Sequence, residues 1–233
     1  MKPTTWIQSA NLAIEGIIYS VKTQRHMRYH LYAALAALVL SLVLDISRTE
    51  FILLCMAIIL VLTMEMLNTA IETTVDMISV EYHPLAKIAK DIAAGVVLIA
   101  SIGALTLAYL ILYPALKNTI MYGHSHIRKA PHDVVSFVSL AVVIILVIII
   151  KAFVGKGEPL RGGMPSGHAA VSFSIWSAVY FLADSLAINI LTFLLALMVS
   201  WSRWSFGVHR PREIIAGALL GICITFLFFV IFG

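Results

Sequence analysis

Long uncharged apolar runs constrain this chain more than any other feature of its sequence. Only 12% of its residues are charged, about half the share found in soluble domains. A helical membrane span needs about 20 apolar residues, and flanking helix completes the shorter runs. The sequence therefore predicts an all-α polytopic integral membrane protein of about seven transmembrane helices. The runs without Asp, Glu, Lys or Arg are 31–44, 51–64, 92–116, 134–150, 169–183, 185–202 and 214–233.

The N-terminal segment, residues 1–22, differs from these runs because it mixes polar and apolar positions. No small-residue cleavage site follows a strong apolar core, so the segment lacks the pattern of a cleaved signal peptide. It predicts an amphipathic helix that lies on the membrane surface, with Trp6 as an interfacial anchor.

The positions of the basic residues predict which side of the membrane each loop occupies. Cytoplasmic loops of membrane proteins carry an excess of Lys and Arg. With seven spans and a cytoplasmic N-terminus, all 16 Lys and Arg residues fall on the cytoplasmic side except Arg48, Lys117, Arg128 and Lys129. The net charge of +4 suits anionic lipid headgroups, and no fold signal for nucleic-acid binding is present.

The longest non-apolar connection separates three predicted spans from four. The two parts show no internal repeat of each other. We therefore predict one domain at 1–115, a linker at 116–133 and a second domain at 134–233.

The second span ends in a row of acidic and amide side chains. In EMLNTAIETTVD, Glu65, Asn68, Glu72 and Asp76 are spaced by three, four and four residues, so they share one face of a helix. The uncharged run leads directly into Glu65, and ionisable groups within membrane segments mark functional sites by default. We interpret Glu65, Asn68 and Glu72 as functional, whereas Asp76 also fits a solvated extension of the helix.

A second polar segment follows this row. Pro84 favours the first turn of a new helix, and Lys87, Lys90 and Asp91 share a face of that helix near the carboxylates. Acidic groups that bind Mg²⁺ and a lysine that binds a polyphosphate are what phosphoryl transfer needs. No glycine-rich phosphate loop occurs, so an ordinary nucleotide-binding fold is excluded.

The motifs EMLNTAIETTVD and EYHPLAKIAKDIAAG resemble the bacterial diacylglycerol kinase and undecaprenol kinase family of three-span lipid kinases, over residues 5–113. The resemblance implies ATP and Mg²⁺ as cofactors and a homo-oligomer, a trimer in the family, with sites between subunits. It implies Glu65 as the general base on the lipid hydroxyl, Glu72 as the metal ligand, and Asn68 as a supporting group or further ligand. The residues implied to contact the nucleotide are Glu72, Glu81, His83, Lys90 and Asp91.

One position departs from that family's pattern. In KTQRHMRYH, Gln24 stands where the family has a second metal-binding glutamate. An amide oxygen still coordinates a hard cation, but it brings no formal charge. Gln24 is therefore predicted to be a weak metal ligand.

The C-terminal part contains another pair of polar segments. LRGGMPSGHAA, with His168, precedes one apolar run, and SRWSFGVHRPREIIAG places His209 four residues before Glu213, with Pro211 where a helix starts. This spacing lets the carboxylate hydrogen-bond one ring nitrogen and leaves the other free to attack. Both segments and Lys151 fall on the same predicted side of the membrane.

These segments resemble the type 2 phosphatidic acid phosphatase superfamily, over residues 134–231. The resemblance implies His209 as the nucleophile that forms a phosphohistidine, His168 as the acid that protonates the leaving group, and Glu213 as the orienting carboxylate. No cofactor is implied for this half. The residues implied to bind the substrate phosphate are Lys151, Arg161, Ser166, Gly167 and Arg203.

Two positions depart from the superfamily pattern. Glu213 stands where aspartate is usual, and Glu158 replaces the arginine of the first motif. Arg161, three residues later, is a candidate to supply the missing guanidinium, and Lys156 is a second candidate.

The two resemblances together predict a bifunctional enzyme of the bacterial inner (cytoplasmic) membrane, with both active sites on the cytoplasmic face. One half phosphorylates undecaprenol or diacylglycerol, and the other hydrolyses a lipid phosphate or diphosphate. Undecaprenyl substrates would make both reactions converge on undecaprenyl phosphate, whereas diacylglycerol with phosphatidate would form a futile cycle. The alternatives are a lipid phosphatase with an inactive kinase-like scaffold and, least favoured, a non-catalytic transporter, which predicts inverted repeats and broken helices near the bilayer midplane.

Overall fold

The structure, a computed structural model, describes residues 6–44, 46–79, 81–121, 129–154 and 163–233. Within these ranges all regular secondary structure is helical, which confirms the predicted all-α class. The helices are α1 (Trp6–Thr23), α2 (Arg25–Val43), α3 (Arg48–Ile78), α4 (Pro84–Met121), α5 (His132–Val154), α6 (Gly167–Leu182), α7 (Leu186–Ser205) and α8 (Pro211–Phe232).

In the described part of the chain, six helices are long and apolar enough to cross a membrane: α2, α3, α4, α5, α7 and α8. The apolar helix α6 has 16 residues and is about 24 Å long at 1.5 Å per residue. With α6 included, the helices match the seven predicted spans, as three followed by four. The chain is a polytopic membrane protein.

Most helix ends follow local sequence signals. Pro84 opens α4 and Pro211 opens α8, as predicted. α3 begins with a capping box, in which the Ser47 backbone donates to Glu50 Oε2 at 2.7 Å and the Glu50 backbone donates to Ser47 Oγ at 3.3 Å. α4 continues past Pro114 to Met121, and residues 117–121 include neither glycine nor proline. The first residues of the predicted linker are therefore helical.

The chain divides into two compact units. One contains α2, α3 and α4, and the other contains α1 together with α5 to α8. The boundaries at 1–115, 116–133 and 134–233 remain a prediction, and this division differs from them in the assignment of α1. The N-terminal segment is helical as predicted, and its location on the membrane surface remains a prediction.

In the unit of α2 to α4, α3 packs chiefly against α4 and to a smaller extent against α2. α2 buries one apolar stripe along its length, which is the pattern of a helix with a single packed face. α3 instead buries polar side chains near its C-terminal end. The buried apolar residues of α2 are Met27, Leu31, Ala34, Leu38 and Leu42, and the buried polar residues of α3 are Glu65, Asn68 and Thr69.

In the other unit, α6 and α8 pack backbone against backbone. A Cβ atom on Gly217 would collide with the carbonyl oxygen of Ser166, and one on Gly221 would collide with that of Ala170. The two glycines are four residues apart, which is the small-residue spacing of closely packed membrane helices. The close packing of α6 on α8 therefore requires glycine at both positions.

α7 packs along α6 but makes few contacts with α8. Aromatic rings fill the space between α6 and α7, where the Phe193 ring lies 4.9 Å from the Trp176 ring and 6.1 Å from the Phe173 ring, measured between centroids. α7 is thus attached to the unit on one side and leaves an opening toward α8.

Candidate active sites

Polar side chains of α2 and α3 meet where α2 begins. Gln24 immediately precedes α2, while Glu65, Asn68 and Glu72 lie on one face of α3, as predicted. Glu65 is 2% exposed and Asn68 is 8% exposed. Burying an ionisable group in a membrane segment is costly and points to a function. These four residues are called the carboxylate site below.

Both oxygens of the Glu72 carboxylate accept hydrogen bonds from side-chain amides. Gln24 Nε2 donates to Oε2 at 3.1 Å, and Asn68 Nδ2 donates to Oε1 at 3.0 Å. Asn68 Oδ1 is buried and has no hydrogen-bond partner among the described residues. A buried oxygen without a partner beside a carboxylate is a place where a bound cation would satisfy the unpaired acceptor.

The donor set of the carboxylate site fits a hard divalent cation with little formal charge. Among the described residues, no group of three or more His, Cys, Asp or Glu side chains is arranged to hold a metal ion. A cation here would therefore depend on the oxygens of Asn68 and Gln24 beside the Glu72 carboxylate. Carboxylate and amide oxygens are the ligands that Mg²⁺ and Ca²⁺ take in proteins.

Glu65 faces the start of α2. Its carboxyl group forms a hydrogen bond with the backbone of Met27, and the imidazole of His26 lies close enough to interact with its charge. His26 was not among the predicted site residues. The signal that points to it is its position two residues after Gln24 in the same segment.

The residues expected to contact a nucleotide lie between α3 and α4 and on the first turns of α4. Lys90 Nζ forms an ion pair with Asp76 Oδ1 at 2.7 Å, so Asp76, whose role the sequence left open, is the lysine's partner. Glu81, His83 and Asp91 are exposed. The structure therefore brings Lys90 to the acidic face of α3 and leaves the other three side chains at the surface.

The end of α5, the start of α6, the end of α7 and the start of α8 form a second site. Ser166 directly precedes α6, and its backbone N–H donates to the Glu213 carbonyl oxygen at 2.9 Å. The residue is completely buried, and its Oγ atom has no hydrogen-bond partner among the described residues. Gly167 begins α6, and the backbone N–H groups of a helix N-terminus favour a bound anion. His168 follows and is exposed.

His209 is held by a carboxylate one turn away, as predicted. His209 Nδ1 and Glu213 Oε2 are 2.8 Å apart, and the imidazole is 1% exposed. An ionised carboxylate only accepts hydrogen bonds, so Nδ1 carries the hydrogen and Nε2 keeps its lone pair. Burial lowers the pKa of His209, and the hydrogen bond to Glu213 opposes that shift. Burial is the larger of the two effects, so the pKa of His209 lies below its ordinary value, which favours a neutral imidazole with Nε2 available for attack.

The loop that carries His209 folds back on the end of α7. The backbone N–H groups of Val208 and His209 both donate to the Arg203 carbonyl oxygen at 3.1 Å. Gly207 has a φ of +64° in this turn, a backbone conformation that residues other than glycine rarely adopt. The backbone therefore ties His209 directly to Arg203.

Two cations approach the imidazoles from neighbouring helices. Lys151, in the last turn of α5, is 5% exposed, and the Nε atom of Arg203, in the last turn of α7, is buried without a hydrogen-bond partner among the described residues. Both interact electrostatically with His168 and His209. Together with Ser166, Gly167 and Glu213, these four residues are called the imidazole site below.

A cleft of about 740 Å³ opens beside His209. It is lined by the loop before α6, including Gly163, and by the loop before α8 together with Trp204 and Glu213. Trp204 was not among the predicted site residues. Glu158, which replaces the arginine of the first superfamily motif, lies outside the described residues. So do Arg161 and Lys156, the two candidates to supply the missing positive charge.

Two family models match the chain, each over a different half. The model described as Prokaryotic diacylglycerol kinase matches residues 11–112. The model described as PAP2 superfamily matches residues 151–233. The two matches do not overlap, and each contains one of the two sites.

Individual relatives carry kinase names. A diacylglycerol kinase of Synechocystis sp. is 35% identical over 128 residues, which cover 52% of this chain and 73% of the relative. An undecaprenol kinase of Bacillus subtilis is 39% identical over 101 residues, which cover 43% of this chain and 82% of the relative. A diacylglycerol kinase of Escherichia coli is 37% identical over 101 residues, covering 43% and 83%. No solved structure matches the chain.

Proposed function

The chain belongs to the prokaryotic diacylglycerol kinase family and carries a PAP2 superfamily domain behind the kinase domain, and from this premise we propose that it is a bifunctional membrane enzyme. One half phosphorylates a lipid alcohol with ATP, and the other hydrolyses a lipid phosphate or diphosphate through a phosphohistidine. The observation that carries the proposal is the 2.8 Å contact between His209 Nδ1 and Glu213 Oε2, because it leaves the Nε2 lone pair for attack on a phosphate, with Lys151 and Arg203 close enough to interact with the imidazole.

In the kinase reaction, Glu65 is the general base. Its carboxylate takes the proton of the lipid hydroxyl, and the hydroxyl oxygen then bonds to the γ-phosphorus while the bond to the β–γ bridging oxygen breaks and ADP leaves. Burial of Glu65 beside the Met27 backbone supports this role, since an ionisable group buried in a membrane segment marks a functional site by default.

Mg²⁺ and ATP belong to this half. Glu72, Asn68 and Gln24 would hold the metal, which when bound neutralises charge on the transferred phosphoryl group. Lys90 would bind the phosphates, and the exposed residues Glu81, His83 and Asp91 would contact the rest of the nucleotide. The unpaired Asn68 Oδ1 atom supports the metal assignment.

In the phosphatase reaction, His209 Nε2 attacks the terminal phosphorus of the bound lipid phosphate or diphosphate. The bond from that phosphorus to the leaving oxygen breaks, and His168 gives its proton to this oxygen. The leaving oxygen belongs to the lipid alcohol when the substrate is a monophosphate and to the lipid monophosphate when it is a diphosphate. Lys151 and Arg203 stabilise the negative charge that spreads over the phosphoryl oxygens, while Ser166 and the Gly167 amide hold those oxygens. The unpartnered Ser166 Oγ and Arg203 Nε atoms support a bound anion here.

The second step regenerates the enzyme. His168, now neutral, accepts a proton from a water molecule whose oxygen attacks the phosphohistidine. The nitrogen–phosphorus bond breaks, inorganic phosphate leaves, and Nε2 regains its lone pair. Glu213 keeps the hydrogen on Nδ1 through both steps and stabilises the positive charge that His209 acquires.

An undecaprenyl lipid is the substrate pair that we favour. Phosphorylation of undecaprenol and hydrolysis of undecaprenyl diphosphate both yield undecaprenyl phosphate, so the halves would cooperate. With diacylglycerol and phosphatidate they would oppose each other. The similarity to an undecaprenol kinase supports the first pair, and similarity to diacylglycerol kinases supports testing the second.

We further propose that the chain lies in the bacterial inner membrane with both sites on the cytoplasmic face. An impermeant maleimide applied to intact cells, in a Cys55→Ser, Cys223→Ser background, should label Asp184→Cys in the α6–α7 loop. It should not label Phe206→Cys in the α7–α8 loop until the membrane is opened. Labelling of Phe206→Cys from outside would reverse the proposed orientation.

We also propose that the chain forms homo-oligomers, with trimers as the form implied by its kinase relatives. The exposure of Glu81, His83 and Asp91 supports this, because three of the nucleotide residues need further groups to enclose ATP.

A second candidate function is a lipid phosphatase whose kinase half is an inactive scaffold. The hydrogen bond from Gln24 Nε2 to Glu72 Oε2 favours it, since the amide occupies a carboxylate oxygen that a metal would need. The experiment that separates the two candidates uses the full-length His209→Ala protein, which cannot remove kinase product.

This variant is given Mg-ATP with either undecaprenol or diacylglycerol, and transfer of the γ-phosphate to lipid is measured. Transfer that is lost in His209→Ala, Glu65→Gln supports the bifunctional enzyme, and the preferred alcohol identifies the lipid. No transfer, with wild-type protein still releasing phosphate from lipid phosphates, would establish the scaffold instead. Absence of both activities would reject both candidates.

A further inference from the structure

A second cleft leads away from the imidazole site between α7 and α8. Its volume is about 640 Å³, which is in the range of small-molecule sites. Trp204 and Pro211 line both this cleft and the one beside His209, so the two spaces adjoin at these residues. The second cleft is called the α7–α8 groove below.

Apolar side chains from two helical stripes form the walls of the groove. Along α7, Leu194, Leu197, Trp201 and Trp204 recur every three or four positions, so they lie on one helix face. None of the lining residues is charged. The principal lining residues are Leu194, Leu197, Met198, Trp201 and Trp204 of α7 and Pro211, Ile214 and Ile215 of α8.

The groove exists because of the way the helices pack. α8 is fixed against α6 through Gly217 and Gly221, and α7 packs on α6 with few contacts to α8. Along α7 the groove extends from Phe206 to Leu194, about 18 Å at 1.5 Å per residue. The hydrocarbon core of one leaflet is about 15 Å thick, so the groove has the length needed to follow a lipid chain from the interface to the bilayer midplane.

We propose that the α7–α8 groove binds the hydrocarbon tail of the lipid phosphate whose phosphoryl group reacts at His209. The inference rests on the proposed phosphatase function and adds the surface that recognises the tail. A lipid phosphate has a charged head and a long apolar chain, and the two adjoining clefts match this division. The head end has the cations Lys151 and Arg203, and the tail end has only uncharged side chains.

Trp204 lies at the boundary between the two environments. It is 48% exposed, and its ring packs edge-on against Trp201 with centroids 4.8 Å apart. An indole ring has an apolar body and a polar N–H, which suits the boundary between headgroups and acyl chains. The substrate would therefore enter sideways from the bilayer, with its first carbons over Trp204.

Leu197→Trp tests the proposal, because the larger ring would fill the groove away from the reacting atoms. Leu197 is 42% exposed and lines the groove. Leu195→Trp is the matched control, since Leu195 is 57% exposed on the same helix and does not line the groove. Full-length proteins are assayed in identical detergent micelles for phosphate release from isopentenyl, farnesyl and undecaprenyl diphosphate.

The quantity compared is the ratio of kcat/KM for undecaprenyl diphosphate to kcat/KM for isopentenyl diphosphate. We expect Leu197→Trp to lower this ratio by roughly 10-fold, a change of about 1.4 kcal/mol in differential binding, and Leu195→Trp to leave it unchanged. An unaltered ratio in Leu197→Trp would mean that the groove holds only bulk membrane lipid. Equal loss for all three substrates, with a changed oligomeric state, would identify the groove as an interface with a second copy.

A direct measurement covers the case in which the shortest ester is not hydrolysed. Farnesyl phosphate with a photoreactive diazirine at the end of its chain is illuminated in the presence of the His209→Ala protein. Labelling of α7 or α8, reduced in Leu197→Trp, is expected. Labelling confined to other helices would contradict tail binding in the α7–α8 groove without contradicting the phosphatase activity. If wild-type protein releases phosphate neither from the three diphosphates nor from the corresponding monophosphates, the phosphatase function itself is rejected.

Discussion

The carboxylate site and the imidazole site differ in what holds them together. In the carboxylate site, the contacts of Glu72 are hydrogen bonds from the side-chain amides of Gln24 and Asn68. Next to the site, Lys90 and Asp76 also pair through their side chains. In the imidazole site, backbone hydrogen bonds join the segments that carry the functional side chains, in addition to the His209–Glu213 contact. Ser166 N–H donates to the Glu213 carbonyl oxygen, and His209 N–H donates to the Arg203 carbonyl oxygen. The first arrangement can rearrange around a ligand, whereas the second fixes its groups before any ligand arrives.

This difference matches what each reaction asks of the protein. The proposed kinase reaction brings together a lipid, a nucleotide and a metal, and three of the residues proposed to contact the nucleotide are exposed. The phosphatase reaction brings one lipid phosphate to a buried imidazole. A site with fixed donors loses little free energy to reorganisation when charge develops, and a site that closes around substrates excludes water from the transferred phosphoryl group. We therefore interpret the imidazole site as preorganised and the carboxylate site as one that assembles around its substrates.

The largest test of this comparison is Glu65→Gln. If the halves are separate enzymes, loss of the general base should lower lipid phosphorylation by about 10²- to 10⁴-fold and leave phosphate release from lipid phosphates unchanged. Glu50→Gln, an exposed substitution on the same helix, is the matched control and should keep both activities. A parallel fall in phosphatase activity would show that the halves are not independent.

Gly217→Ala tests the backbone contact in the imidazole site. The added Cβ would collide with the Ser166 carbonyl oxygen and move the start of α6 away from His209, and misplacement of about 1 Å costs roughly 10²-fold in rate. Phosphatase activity should fall by that amount while kinase activity persists. Gly103→Ala, where a Cβ meets nothing within 4 Å, should leave the phosphatase intact. An active Gly217→Ala phosphatase would contradict the preorganised site.

Glu213→Gln tests how the buried imidazole is tuned. Burial lowers the pKa of His209, and Glu213 raises it, so removing the negative charge should lower that pKa further. The acid limb of the kcat/KM profile for phosphate release should shift to lower pH, because His209 then stays unprotonated in more acidic solution. The maximal rate should fall by at least roughly 10-fold, since the imidazolium loses its stabilising partner. Glu213→Asp should retain the wild-type limb, and a shift to higher pH would reverse the assignment.

Gln24→Glu tests whether the carboxylate site binds the metal, and of the four substitutions we expect it to change activity least. A second carboxylate beside Glu72 should reduce the Mg²⁺ concentration needed for half-maximal phosphorylation by roughly 10-fold, which is the scale of effects at metal-site partners. Gln8→Glu adds the same charge on α1 and should have no effect. Unchanged Mg²⁺ dependence in Gln24→Glu would remove Gln24 and Glu72 from the metal site. Phosphatase activity should be the same in all three proteins.

Much of the fold could be predicted because the bilayer leaves few choices. Uncharged runs must be helices, and Pro84 and Pro211 mark where two of them begin. The extension of α4 to Met121 could not be predicted, because nothing in the local sequence requires the helix to stop or to continue there. The assignment of α1 to the unit of α5 to α8 depends on tertiary contacts that no local pattern encodes.

The candidate sites divide in the same way. The His209–Glu213 contact could be predicted because the two residues are four positions apart and Pro211, between them, marks the start of a helix. The shared face of Glu65, Asn68 and Glu72 follows from helical periodicity. The ion pair of Lys90 with Asp76 depends on how α3 and α4 are rotated against each other, which spacing along one helix cannot give. Their pairing therefore required the structure.

The shortness of α6 has a consequence for the membrane around it. At about 24 Å, its 16 residues fall short of a hydrocarbon core of about 30 Å, and a short helix is accommodated by local thinning of the bilayer. Thinning would bring the headgroup plane down toward Ser166 and His168 at the helix start. Lipid phosphates would then reach the catalytic groups without leaving their leaflet. Bilayer thickness thus becomes a determinant of rate, and we expect vesicles of shorter-chain lipids to support faster phosphate release than vesicles of longer-chain lipids.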